Sequence, residues 1–395
     1  MGSRDGRLMC ALAAGLAAAL ALSPSATAAD DRFMAPLPAD DAVVVRRDVV
    51  YAPAGAGPLA FDLYLPARRK DPAPVVVFVN GIGATWMRGH VQYTGWGRAV
   101  TARGLAGVTM DSREETADRD TAALLAYLKQ HGAELGVDAS RVALWSCSSN
   151  VRRGLPLVQS LGPEVRSGVV YYGSAEVPSF RVDRPVLLVR AGLDNAGLNR
   201  ELDGLVGQAL KANAPVEVLS LPAAVHGFDI RDDTEVTRAA IARTLDFLES
   251  TLRGPLVDAV RAGSAAAEAA ASAFREDWTA AARGYADLVV SHPGDPVLWQ
   301  HLGEARRGAG DRVGALTALE KALALGSPNA GIVGFAVAGL HAESGQLDRA
   351  FAALEQMKPR LRFFQDQLRT APAFEALRRD PRFESLLRGV PPPPR

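Results

Sequence analysis

Cysteine is nearly absent from this chain: of 395 residues only Cys10 and Cys147 are cysteine. Cys10 lies in an N-terminal segment that reads as removable, so the mature chain keeps one thiol. That excludes an internal disulfide and leaves stability to core burial. Charge of either sign is not in excess. Forty-four Lys and Arg balance forty-four Asp and Glu, and no basic tract stands out to track phosphates, so nucleic-acid binding is not expected. Histidine is scarce, with six in all. No pair of His or Cys has ligand spacing, so neither a metal nor another cofactor is implied. The elbow described below also lacks the glycines usual at such a turn.

Arg4 and Arg7 precede an apolar run from Leu8 to Leu22, followed by Ala26-Thr27-Ala28. This is the layout of a secretory signal peptide over residues 1–28. The run is too short and Ala-rich for a membrane span. The expected mature protein begins near Ala29 or Asp30, is exported to the periplasm or beyond, and is not membrane-bound after cleavage. Residues 29–42 read as a loose leader. The remaining length suggests two domains.

From Val43 to Arg253 strand and helix patterns alternate. Val43–Val50 and Leu59–Leu65 read as a leading antiparallel pair. Val75–Val79 is a continuous β-branched run, as in a strand buried on both faces. Further strands are expected at Ala106–Met110, Val142–Trp145, Gly168–Tyr172, Pro185–Arg190 and Val216–Leu221. Helices are expected at Tyr93–Arg103, Glu115–Leu135, Val151–Leu161, Leu198–Leu210 and Asp233–Leu252. The pattern implies an α/β domain over 43–253, a mostly parallel sheet wrapped by helices.

The organising stretch is Ser146-Cys147-Ser148-Ser149-Asn150, between an apolar strand and a helix. Strand, sharp turn, helix, with Ser at the apex, is the layout of a nucleophile elbow. Ser148 takes the nucleophile slot, although Ser146 and Asn150 stand where Gly is usual. Cys147 and Ser149 are the other nucleophile candidates. A serine nucleophile needs a base, and the base needs an acid to hold its tautomer. After the strand at 185–190 comes Ala191-Gly192-Leu193-Asp194. After the strand at 216–221 comes Val225-His226-Gly227-Phe228. Asp194 and His226 therefore follow Ser148 in the order and positions of an acid and a base; Asp183 and Asp229 are the competing carboxylates. The strand at 75–79 empties into Asn80-Gly81-Ile82-Gly83. The backbone N–H groups of Ile82 and Ser149 are the expected oxyanion donors.

Val75–Gly83, Asp111-Ser112-Arg113, Arg141–Asn150, Ala191–Asp194 and His226-Gly227-Phe228 together resemble the dienelactone hydrolase branch of the α/β-hydrolase superfamily. The resemblance implies Ser148 as nucleophile, Asp194 as acid and His226 as base, acting on a small-molecule ester, lactone, thioester or similar acyl substrate. Enzymes named for dienelactone carry Cys where this chain has Ser148, so dienelactone itself is not the implied substrate.

Beyond Arg253 no strand pattern returns. A self-similarity near 34 residues places Ala281, Ala315 and Ala350 in step, and likewise Tyr285, Leu319 and Leu354. Trp299, Leu302, Gly303, Ala315 and Ala322 resemble the tetratricopeptide pattern. An all-α repeat domain over 262–388, with capping helices, is expected to offer a surface for a protein partner; an unrelated Ala-rich bundle is the alternative. Residues 389–395 read as a Pro-rich tail. Two functions fit: an exported serine hydrolase with a repeat domain, or a catalytically inactive scaffold whose repeats do the work.

Overall fold

The computed structural model describes residues 31–52, 57–254, 256–388 and 390. The expected signal segment, with Cys10, and residues 391–395 of the expected tail lie outside the described residues.

Among the described residues eight strands form one sheet: β1 (Val43–Ala52), β2 (Leu59–Pro66), β3 (Ala73–Phe78), β4 (Ala106–Met110), β5 (Val137–Cys147), β6 (Val165–Tyr171), β7 (Val186–Ala191) and β8 (Val216–Leu221). Their order across the sheet is β1-β2-β4-β3-β5-β6-β7-β8. β1 and β2 pair antiparallel, as do β2 and β4, and every later pairing is parallel. The helices between strands are α1 (Val91–Ala99), α2 (Ala117–Leu135), α3 (Val151–Ser160) and α4 (Ala196–Lys211). A short α5 (Phe228–Arg231) and a long α6 (Glu235–Leu252) follow β8. This is the α/β-hydrolase fold.

The strands are apolar throughout because both sheet faces are covered. Val75 and Val77 of β3 enter one core with Val142 and Leu144 of β5. Their neighbours Val76, Phe78, Ala143 and Trp145 enter the other, as the two-residue period requires. The second core is aromatic. Trp96, Trp145, Tyr171 and Phe228 pack ring to ring beneath the C-terminal strand ends.

Most expected elements recur with shifted ends. The elbow strand is longer than Val142–Trp145, and the helix expected to Arg103 closes as a 3-10 turn over Val100–Arg103. α5 was not anticipated. The larger difference is the leader. Arg32 N–H donates to Ile230 O at 3.1 Å and Met34 N–H to Asp229 O at 2.9 Å. Phe33 is buried edge-on against Trp96 with 5.3 Å between ring centroids. Residues 32–34 are pinned, not loose, because a large aromatic found an apolar seat over Gly95.

The C-terminal region is all helical: α7 (Leu256–Phe274), α8 (Trp278–Ser291), α9 (Pro296–Gly308), α10 (Arg312–Ala324), α11 (Ala330–Glu343) and α12 (Leu347–Gln356), then short turns of helix to Leu387. Ala281, Ala315 and Ala350 occupy matching buried positions on α8, α10 and α12, and Tyr285, Leu319 and Leu354 do likewise. The turn before α10 uses Gly310 at φ 83° and that before α12 uses Gly345 at φ 71°. The turn before α8 puts Glu276 in the same left-handed region at φ 61°. Three helix pairs thus repeat one plan. Phe374 and Phe383 close the end of the last pair, in one core with Phe351 and Leu354.

Candidate active site

β5 ends at Cys147, and Ser148 turns the chain into α3 with φ 52°. A side-chain-bearing residue rarely adopts this conformation, and it is the strain expected of a nucleophile elbow. Ser146 replaces one usual glycine, and the space it needs comes from the helix. A Cβ on Gly154 would lie 2.6 Å from both the Cβ and Oγ of Ser146. Ser146 fits because Gly154, on the helix that packs on the strand, carries no side chain.

The loops after β7 and β8 bring Asp194 and His226 to this turn. His226 Nε2 lies 2.9 Å from Ser148 Oγ, and His226 Nδ1 lies 2.6 Å from Asp194 Oδ2. The Asp194 carboxylate is shielded from solvent, and its Oδ1 accepts the Asn195 N–H at 2.6 Å. The N-cap of α4 is Asn195, which accepts from the N–H groups of Gly197 and Leu198. This frees Asp194 from the capping role its position would otherwise suggest. Asn199 Nδ2 donates to Ala191 O at 3.0 Å and steadies the acid's loop. Gly192 sits against the base's loop: a Cβ there would lie 2.6 Å from the Pro222 Cα.

The competing carboxylates lie elsewhere. Asp183 forms a two-pronged pair with Arg181 at 2.8 Å and 2.8 Å. Asp229 is fully buried and accepts from Tyr172 Oη at 2.6 Å, Trp96 Nε1 at 2.9 Å and Gln92 Nε2 at 2.9 Å. Burial raises its pKa despite these donors. Cys147 is buried beside Tyr93 and Gln92, and burial, with the Asp229 charge, pushes its thiol up to about 12. That environment disfavours the thiolate a cysteine nucleophile needs.

The expected oxyanion donors stand differently from one another. Ser149 N–H has no acceptor among the described residues. Ile82 N–H donates to Asn150 Oδ1 at 3.2 Å, and Gly81 N–H donates to the same oxygen at 2.6 Å. Asn150 Nδ2 in turn donates to Tyr93 Oη at 3.0 Å. The sequence places Asn150 where Gly is usual but does not reveal this bond. The loop is held from its other side by Asn80, whose Nδ2 donates to Ala84 O at 2.9 Å and whose carbonyl accepts from Ser112 Oγ.

Trp86 is exposed and edge-on to His90 at 5.1 Å. Arg113 is taken up by Asp120 at 2.9 Å. Arg152 and Arg153 are exposed on the first turn of α3. Among the described residues no cluster of His, Cys, Asp and Glu is placed to hold a metal, and no helix is long and apolar enough to cross a membrane.

The family model BD-FAE matches residues 61–151, from β2 to the first residue of α3, a span that includes Ser148 but not Asp194 or His226. No curated protein sequence matches the chain. Solved structures of similar fold include a thermostable esterase from Pseudomonas putida ECU1011 at 17% identity and TM-score 0.45, covering 55% of this chain and 86% of that one. Another is a bacterial heroin esterase at 20% identity and TM-score 0.45, covering 54% and 86%. Carboxyl esterase 2 from Tuber melanosporum matches at 16% identity and TM-score 0.45, covering 56% and 91%.

Proposed function

We propose that this protein is a serine hydrolase of carboxylic ester or lactone bonds. The observation that carries the reading is the unbroken hydrogen-bond line from Ser148 Oγ through His226 to Asp194, with Ser148 on a left-handed turn. His226 takes the Ser148 proton as Oγ attacks the acyl carbon, and returns it to the leaving alkoxide. Asp194 keeps the Nδ1 proton in place and stabilises the imidazolium. Ser149 N–H, joined by Ile82 N–H, receives the oxyanion. Water, activated by the same imidazole, then releases the acyl group. The match to BD-FAE around the nucleophile agrees with this chemistry. The dienelactone hydrolase resemblance adds lactones to the substrates worth testing.

The reading extends to the whole chain. Residues 1–28 direct export and are removed, and the helix pairs from 262 to 388, as tetratricopeptide-like repeats, dock a protein partner. One observation favours the inactive-scaffold alternative: the Asn150 carbonyl already holds the Ile82 donor.

Labelling the purified mature protein with a fluorophosphonate, followed by peptide mass spectrometry, separates the two. A label on Ser148 that His226→Ala abolishes is the expected result. A folded protein that takes no label would exclude the hydrolase and leave the scaffold.

A further inference from the structure

Position 150 lies two residues beyond Ser148, where the elbow meets the loop after β3. The two backbones touch there: a Cβ on Gly81 would lie 2.9 Å from Asn150 O and 3.0 Å from its Cα. A glycine at 150 would make this contact and leave the loop N–H groups undirected. Asn150 instead reaches across with its side chain. Its Oδ1 accepts from Gly81 at 2.6 Å and from Ile82 at 3.2 Å.

The amide cannot readily present its other end. Nδ2 faces Tyr93 Oη at 3.0 Å and Met87 Sδ at 3.6 Å, and the residue is buried. Two N–H donors on one side require the carbonyl there, so the orientation follows from its partners. An N–H serves an oxyanion only when it is aimed at the position that oxygen will occupy. Here the Ile82 N–H is aimed at a neutral carbonyl. The two bonds are unequal. The short one, to Gly81, anchors the loop, and the long one, to Ile82, is the easier to exchange.

Resting on the serine-hydrolase reading, we propose that Asn150 is a latch on the oxyanion hole. It positions the loop through Gly81 and withholds the Ile82 N–H until the developing oxyanion draws that hydrogen away. A neutral carbonyl loses this competition to an alkoxide, since hydrogen bonds to charged acceptors are roughly twice as strong. The site therefore works with one open donor, Ser149, and one contested donor, Ile82. Asn150 touches no substrate. It acts through the loop as a positioning residue and slows the acylation step.

The test is steady-state hydrolysis of p-nitrophenyl acetate by the full mature chain, with fluorophosphonate labelling alongside. Asn150→Gly restores the usual elbow residue and frees Ile82. The expected result is a kcat about fivefold higher, the scale of one neutral hydrogen bond, with KM nearly unchanged and faster labelling at Ser148. A merely structural role for Asn150 predicts a lower kcat. If Asn150→Gly melts at the wild-type temperature and its kcat is equal or lower, the latch is wrong. If that variant does not fold, Tyr93→Phe decides, because it removes the acceptor of Nδ2 and so loosens the carbonyl's hold on Ile82. A severalfold rise in its kcat supports the latch, and no rise overturns it. Absence of label from both wild type and variants would overturn the hydrolase reading and the latch together. Labelling without a kcat gain overturns the latch alone.

Discussion

The Tyr172 phenol donates to the Asp229 carboxylate at 2.6 Å while its ring lies 4.7 Å from the His226 imidazole, centroid to centroid. His226 is thus backed by an aromatic that a buried carboxyl group holds in place. Burial raises the Asp229 pKa above 3.8. A carboxyl with a raised folded-state pKa binds more protons folded than unfolded. Its contribution is complete below the unfolded value and is lost as pH rises through the folded one. Wild type should therefore lose stability relative to Asp229→Asn as pH rises from about 4. Urea unfolding of both proteins across that range measures it, and a constant difference would contradict the shift.

Removing a member of the Ser148–His226–Asp194 line should be costly. Ser148→Ala and His226→Ala are each expected to lower kcat by about 10⁴ or more, and Asp194→Asn by somewhat less. Combining Ser148→Ala with His226→Ala should add little to either alone, because the residues act as a unit. Hydrolysis of a p-nitrophenyl ester reports this. Additive losses would mean that the two side chains act independently.

Gly192→Ala probes how the acid and base loops fit. A Cβ at 192 meets the Pro222 backbone, which cannot swing aside as a flexible side chain would. The substitution should cost about 1–3 kcal/mol of stability and reduce kcat more than KM, by moving Asp194 away from His226. Thermal melting with kinetics checks both halves.

Glu276→Gly should stabilise the helical region. Glu276 sits at φ 61° in the turn where the later pairs have Gly310 and Gly345. Relieving a left-handed non-glycine residue is worth about 1 kcal/mol. A rise in melting temperature is the expected result.

The succession of strands along the chain, and the places of Ser148, Asp194 and His226 at strand ends, could be read from the sequence because each rests on short-range signals. A β-branched run marked β3, and Ala-Gly-Leu-Asp and His-Gly-Phe marked the strand ends. The compensations could not be read that way. Ser146 stands where Gly is usual, and the Gly154 that faces it lies eight positions along, on another element. Asn150 looked like an obstruction, and its partners Gly81, Ile82 and Tyr93 come from β3's loop and α1. Asp229 was weighed as a rival acid, and only the convergence of Tyr172, Gln92 and Trp96 shows what it holds. Such arrangements depend on tertiary proximity, which periodicity does not encode. The leader failed for a similar reason. Its polar, Pro-containing composition hid Phe33, whose seat over Gly95 lies in α1.

The pinning of residues 31–34 also sets an order of events in folding. Asp31 pairs with Arg231 across a separation of 200 residues. Its neighbours Arg32 and Met34 bond to the segment that directly follows His226. Contacts this distant in sequence close late, because a long loop must lose its entropy first. The beginning of the folded unit can therefore dock only after nearly all of that unit has been made. A chain still emerging has no partner for Asp31, Arg32 or Met34 and no finished histidine loop. The line from Ser148 through His226 to Asp194 would then be completed only in the last stage of folding.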